Sequence, residues 1–423
     1  MPIALCLLLP AGCKRLRTSK PEDTVYVVAK ETYLRDRVAA VSNKVAPVVN
    51  GERLVVLERA RRFLKVKTDG GQVGWLEEHA VIDQSTVDAF KALQQQHARD
   101  PVVATAILRD ELYAHLQPGR DTERFMLLPE GDKLQLLERA SVPKLTPEQS
   151  SVAAARKQQA ARMEAAATRA ANAEAQKQAA AKKTPDFAKP AAPPAAPAGA
   201  FVLSPKAPPA PGAPPQPMED WWLVRDASGQ VGWLLARRLD VDVPEEVIRY
   251  AEGQKIVGAY LLAKVPDAAS PFPDEQAPEY VAVLNPYVDG LPYDFSQLRV
   301  FVWNAKKHRY EGGLREKDLV GYLPVVVKHQ QLDPGGPAVP TFTVKLGAEG
   351  AVPGLDPVTG RIRQVPTVTE TYRLDGEMVK RVLAPGETPP ETASSASPEE
   401  QKRRRERREA KARWHAEHGK RRR

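Results

Sequence analysis

Apolar and polar residues alternate along Glu52–Arg59 (ERLVVLER), with Leu54 and Val56 on the inward side, and again along Phe63–Thr68 (FLKVKT). A period of two is the signature of a half-buried strand. Between FLKVKT and the next apolar run, VGWL, stand Asp69-Gly70-Gly71-Gln72, a hairpin signal because glycine tolerates the positive φ such turns need. The pattern predicts a small antiparallel unit of about 60 residues, which has to close or half-close into a barrel to bury a core. Beyond it, Val87, Phe90 and Leu93 recur three apart within Ser85–Leu93, one face of a helix. Pro244-Glu245-Glu246 opens a second helical stretch to Tyr250.

The hexapeptide GQVGWL occurs twice, at Gly71–Leu76 and at Gly229–Leu234, 158 positions apart. Its surroundings repeat too. Phe63-Leu64-Lys65-Val66 aligns with Trp221-Trp222-Leu223-Val224 at the same offset. Further upstream the offset becomes 80: Gly51-Glu52-Arg53-Leu54 aligns with Gly131-Asp132-Lys133-Leu134, Leu57–Ala60 with Leu137–Ala140, and Tyr33 with Tyr113. The unit is therefore present in two copies, and the second is split. Between Ala140 and Trp221 lie 80 residues where the first copy has only Arg61 and Arg62.

The order of these elements resembles the bacterial SH3-like (SH3b) domain, in which a G-[DE]-[KR]-[VL] turn opens a hairpin, followed by a "W-[YWL]-x-V" strand and a "G-x-x-G-W-[VL]" strand. Gly51, Glu52, Arg53, Phe63, Val66, Gly71, Gly74 and Trp75 carry the resemblance in the first copy. Gly131, Asp132, Lys133, Trp221, Val224, Gly229, Gly232 and Trp233 carry it in the second. The likeness covers Thr24–Asp83 and Val102–Val243 without the insert, about a third of the chain. It implies two small SH3-like barrels and a cell-wall peptidoglycan, peptide or protein ligand. The binding face it implies uses Tyr33 and Trp75 in the first copy and Tyr113, Trp222 and Trp233 in the second. The family's N-x-R-x-G-P loop is replaced by Tyr33-Leu34-Arg35-Asp36 and by Tyr113-Ala114-His115 with Pro118-Gly119.

The insert, residues 141–220, changes composition halfway. Residues 148–183 are almost entirely Ala, Gln, Lys, Arg and Glu, strong helix formers without an apolar stripe. Residues 184–217 are rich in Pro and Ala, which favours polyproline II or disordered chain. A helix over the first part would reach about 54 Å. The second part spans roughly 100 Å at about 3.1 Å per residue, enough to return. The insert reads as a tolerated surface insertion or as a spacer arm.

Residues 255–385 read as a β-sandwich or barrel. Its expected strands are Tyr280–Asn285, Leu298–Asn304, the run HRYEGGL, Leu323–Lys328, Thr341–Leu346, and a hairpin turning at Asp375-Gly376. Trp303, His308 and Tyr310 gather near one turn there. The expected fold is thus mainly β: a signal segment at 1–13, modules at 24–83 and 102–243 joined by a helical linker at 84–101, the β-rich region, and a linker with a basic helical tail at 386–423.

Charge matters because of where it sits. The net charge is +9, and Lys402–Arg423 alone holds 12 Lys/Arg against 3 Glu, so the rest of the chain is balanced. Ser397-Pro398-Glu399-Glu400 starts a helix there, polar on every face. Arg403, Arg404, Arg405, Arg407, Arg408, Arg421, Arg422 and Arg423 suit an anionic surface. Both cysteines fall in the first 13 residues, and Pro10-Ala11-Gly12-Cys13, closing a short apolar run, resembles a bacterial lipobox. That resemblance implies a lipidated Cys13, a membrane anchor and a periplasm-facing or outer-membrane location, where nucleic acid is a poor partner. No HExxH, GxSxG, Walker loop or GxGxxG occurs, no metal-ligand set is readable and no cofactor is expected. The expected function is binding without catalysis. The alternatives are a scaffold acting through insert and tail, and, with less support, a cell-wall hydrolase targeted by its modules.

Overall fold

The computed structural model describes residues 23–146 and 216–383, with a few single positions between 148 and 163. The protein is mainly β, and the described residues form four antiparallel sheets. Strands β1 (Thr24–Val27), β2 (Glu31–Arg35), β3 (Lys44–Val49), β4 (Arg53–Ala60), β5 (Phe63–Thr68), β6 (Val73–Glu77) and β7 (Val81–Asp83) form the first sheet. Helix α1 (Gln84–Gln96) follows, and the Asp83 carboxylate caps it by accepting from Thr86 N at 2.8 Å. Strands β8 (Ala104–Leu108), β9 (Leu112–His115), β10 (Arg124–Leu128), β11 (Lys133–Pro143), β12 (Met218–Arg225), β13 (Val231–Leu235) and β14 (Leu239–Val241) form the second. The spatial order is β3-β2-β6-β5-β4-β1-β7 in one and β10-β9-β13-β12-β11-β8-β14 in the other, the same order with every strand advanced by seven.

The repeated sequence is explained by backbone geometry. Gly71 and Gly229 adopt φ of 83° and 85° at the turn before β6 and β13, a region costly to residues with a side chain. Gly74 and Gly232 lie where another strand crosses closely: an added Cβ would stand 2.7 Å from the Cβ of Leu34 or of Ala114. The inward residues of the first sheet, including Leu34, Leu54, Leu64, Val66 and Leu76, make one small core.

The second sheet is buried on both faces. Its inner residues, Leu134, Leu136, Trp222, Val224 and Leu234 among them, are continuous with the core of the C-terminal region. Its outer residues, Leu223, Trp221 and Trp233 among them, lie under Leu93 of α1. The β11–β12 hairpin outgrows its counterpart: beyond Ala140 it continues through the pairs Ser141–Asp220, Val142–Glu219 and Pro143–Met218. One more bond, Lys144 N to Pro217 O at 2.8 Å, closes the ladder where the insert leaves and returns. Thr146 and Gln149 exchange side-chain to backbone hydrogen bonds of 3.0 and 3.3 Å, a capping box at the insert's start. Glu148, Gln149, Ser151, Ala155, Gln159 and Met163 are helical. The rest of the expected arm, the signal segment with Cys13 and the basic tail from Arg403 to Arg423 lie outside the described residues.

The short helix α2 (Glu245–Ile248) leads into two four-stranded meanders. The first comprises β15 (Lys255–Pro266), β16 (Gln276–Asn285), β17 (Gln297–Asn304) and β18 (Arg309–Glu316). The second comprises β19 (Gly321–Gln330), β20 (Val339–Gly347), β21 (Thr367–Asp375) and β22 (Met378–Val382). Val281, Val283, Leu298, Val300 and Val302 of the first share a core with Val325, Phe342, Val344 and Tyr372 of the second. This is the sandwich alternative of the sequence reading. The intervening residues Ala282 and Leu284 pack with Phe301 on the opposite face, against Val247 of α2. That burial on both sides explains why β16 and β17 are nearly continuous apolar runs.

Candidate functional site

Alternation along β2 buries Leu34 and turns Tyr33 and Arg35 outward. Alternation along β6 buries Gly74 and Leu76 and turns Trp75 outward. The two strands meet at the pair Arg35–Trp75, which brings both rings to one face. The second sheet completes the site with Tyr113 of β9 and Arg124 of β10. Together with Phe63 these residues line a groove of about 370 Å³ between the two repeated units. Three of the five expected aromatics, Tyr33, Trp75 and Tyr113, are thus gathered in one place.

Each of the three rings carries a cation. The Lys44 ammonium stands 3.8 Å from the Tyr33 centroid, Lys65 stands 5.9 Å from Trp75, and the Arg124 guanidinium carbon stands 5.0 Å from Tyr113. The Tyr33 hydroxyl donates to Glu31 Oε1 at 2.7 Å, and this bond holds the phenol above its usual pKa. His79 and Glu77 form a 3.0 Å pair at the rim. The groove therefore offers flat apolar surface within a border of both charge signs.

The walls are fixed to each other. Asn50 Nδ2 donates to Val28 O at 2.7 Å and to Phe125 O at 3.0 Å, while its Oδ1 accepts from Leu127 N at 3.2 Å. Phe125 meets Tyr26 edge to face at 6.2 Å and Phe90 of α1 at 6.0 Å. Lys30 and Glu111 pair at 2.6 Å across the junction, and Glu111 raises the Lys30 pKa. The sequence reading missed Phe63, Arg124 and Asn50 as parts of the site. The repeat alignment pointed to Phe63, which aligns with Trp221. Nothing local pointed to Arg124 or Asn50, whose roles exist only once the two units are docked.

Trp222 and Trp233 are corrections to the expected face, being 3 % and 1 % exposed. Trp222 aligns with the inward Leu64 and fills the inner core. Trp233 aligns with Trp75 and does turn outward, but α1 covers it and the Arg361 guanidinium lies 5.6 Å over its ring. Trp303 and Tyr310 do come together, in an aromatic cluster with Phe272, and His308 is tied to Trp303 through Asp267. Trp303 Nε1 donates to Asp267 Oδ2 at 2.7 Å, and His308 Nδ1 lies 2.8 Å from the same oxygen. Those two bonds, that of His308 first, hold the Asp267 carboxyl below its usual pKa. The Tyr310 hydroxyl donates to Pro278 O at 2.7 Å. Trp303 is buried, so this cluster fastens the turn.

Among the described residues no group of three or more His, Cys, Asp or Glu is placed to hold a metal ion. No helix among them is long and apolar enough to cross a membrane. No family model and no curated protein matches this chain. Among solved structures it is similar to one titled "Structure of NlpC2 from Trichomonas vaginalis", at 8 % identity over 82 % of this chain and 96 % of that chain, with a TM-score of 0.14. A TM-score that low carries no argument about fold or function.

Proposed function

We propose that the chain is a non-enzymatic, lipid-anchored envelope protein whose paired SH3-like modules hold a cell-wall peptide or glycan in the groove between them. The observation that carries this reading is the convergence of Tyr33, Trp75 and Tyr113 from two units on one groove. Aromatic faces stack on sugar rings and on peptide backbone. A border bearing Arg35, Arg124, Glu31 and Glu77 suits a ligand with both carboxylates and amines, as peptidoglycan stems have. The volume of about 370 Å³ falls within the range of small-ligand sites. The test is co-sedimentation of the full chain with purified peptidoglycan at low and high salt, beside Trp75→Ala and Tyr113→Ala variants. Binding that resists salt and falls at least tenfold in both variants supports the groove. Binding that salt abolishes and the variants leave intact would assign it to charge alone and sink the reading.

A scaffold role is the second reading. The hairpin pairs from Ser141 to Pro143 favour it, because they give the insert a firm base. That base is braced by Ser141 N donating to Gly360 O at 2.8 Å.

A further inference from the structure

A second cavity, of about 430 Å³, opens where β11 of the second sheet meets β19 and β20 of the C-terminal region. Its walls are charged, and most of the charge on one wall is already engaged. Arg139 pairs with Asp220 at 3.1 Å and with Asp294 at 3.4 Å, and its Nη2 donates to Leu291 O at 2.6 Å and Tyr293 O at 2.5 Å. Asp294 also accepts from Leu323 N at 2.9 Å. These groups form the fixed floor and have little left to offer a ligand.

The remaining groups are different. Tyr322 lines the cavity and is only 9 % exposed, yet its hydroxyl is buried without a hydrogen-bond partner among the described residues. A buried hydroxyl left unpaired is costly, so native folds seldom keep one idle. Lys345 is the cross-strand partner of Tyr322, so both side chains leave the sheet on the same face. Lys345 has no ion-pair partner among the described residues. Arg363, on the loop before β21, is fixed through its backbone N, which donates to Gly354 O at 2.8 Å, and its side chain donates to Leu355 O at 3.3 Å. The half-buried Glu138 lines the same cavity, 3.5 Å from Arg361, its carboxyl raised above the ordinary range by burial.

We infer that this cavity binds a small zwitterion of amino-acid or dipeptide size. Its carboxylate is received by the Tyr322 hydroxyl, Lys345 and Arg363, and its ammonium by Glu138. Donors and a carboxylate lining one cavity match the two opposite charges of such a molecule, and the volume holds a short peptide but no macromolecule. The inference stands apart from the groove reading, since no residue is shared between the two cavities.

The test is calorimetric titration of the full chain with alanyl-alanine, with its N-acetylated form and with its C-terminal amide. The free dipeptide should bind saturably, and each blocked form at least tenfold more weakly. Tyr322→Phe and Lys345→Gln should each weaken the free dipeptide about tenfold, and Trp75→Ala should leave it unchanged. A second reading guards against variants that simply misfold. Removing an unpaired hydroxyl should raise the melting temperature of the ligand-free Tyr322→Phe protein by roughly 2–4 °C. No saturable binding by the free dipeptide, equal binding of the blocked forms, or a lowered melting temperature for Tyr322→Phe would each overturn the inference.

Discussion

A Cβ on Gly74 would stand 2.7 Å from the Cβ of Leu34, and the copied pair repeats the distance: a Cβ on Gly232 would stand 2.7 Å from that of Ala114. Carbon atoms do not approach so closely, so the crossing of β2 over β6, and of β9 over β13, depends on the missing side chain. Gly74→Ala and Gly232→Ala should each cost about 1–3 kcal/mol, because the neighbours there are Cβ and backbone atoms that cannot swing aside. Chemical denaturation of each variant against the parent measures this. A cost below about 0.5 kcal/mol would show that the strands can separate freely.

The two tryptophans of the repeated hexapeptide should behave differently. Trp233→Ala empties a site that is 1 % exposed and should cost about 3–5 kcal/mol. Trp75→Ala removes a half-exposed wall of the groove and should disturb stability far less while abolishing wall binding. Melting curves and co-sedimentation on the same two samples separate these effects. Equal destabilisation would mean that Trp75 is also structural.

Arg139 ties three parts of the molecule together at a buried point. Arg139→Ala should cost about 3–5 kcal/mol, since it strands Asp220 and Asp294 without their counter-charge. Arg139→Lys should recover little, because one ammonium cannot reach two carboxylates and two carbonyls as a planar fork does. Urea midpoints for the two variants check this.

His115 sets a pH dependence. Burial, with the nearby Arg124 charge adding to it, lowers its pKa to about 4. The folded value lies below the unfolded value of about 6.5, so above pH 7 the ring is neutral in both states and has no effect. As pH falls from about 6.5 toward about 4, the unfolded chain takes up the proton first, and up to about 3 kcal/mol of stability is lost. His115→Gln should flatten that part of the stability curve. An unchanged slope between pH 6.5 and 4 would refute the assignment.

Legibility in the sequence followed the range of the forces. The turn glycine of GQVGWL was readable because it answers a local demand, a positive φ that both copies share, whereas the close crossing at Gly74 and Gly232 depends on Leu34 and Ala114, far away in the chain. Val87 and Phe90 were readable as a buried helix face because the 3.6-residue period is local. The hairpin at Asp375 was readable to within one residue; its two-residue loop is Gly376-Glu377, with Gly376 at φ 59°. Strand β15 was missed, because Lys255–Pro266 mixes small and large apolar residues without alternation, and its form comes from pairing along the whole of β16. Trp233 was misassigned for a related reason, whereas Trp222 stands at the position of the inward Leu64 and the repeat itself placed it in the core. The letters around Trp75 and Trp233 are identical, and only distant chain, α1 and Arg361, distinguishes a groove wall from a covered one.

The hydrogen bond from Lys144 to Pro217 has a topological consequence. It holds the two mouths of the insert side by side at the end of a registered ladder. A cut anywhere between them would sever the polypeptide without separating any strands of the sheet. The nicked protein should run as two bands in denaturing gels and as one particle in gel filtration. Refolding it would become a bimolecular reassembly of fragments, slowed by dilution, whereas the intact chain would refold at a rate independent of concentration.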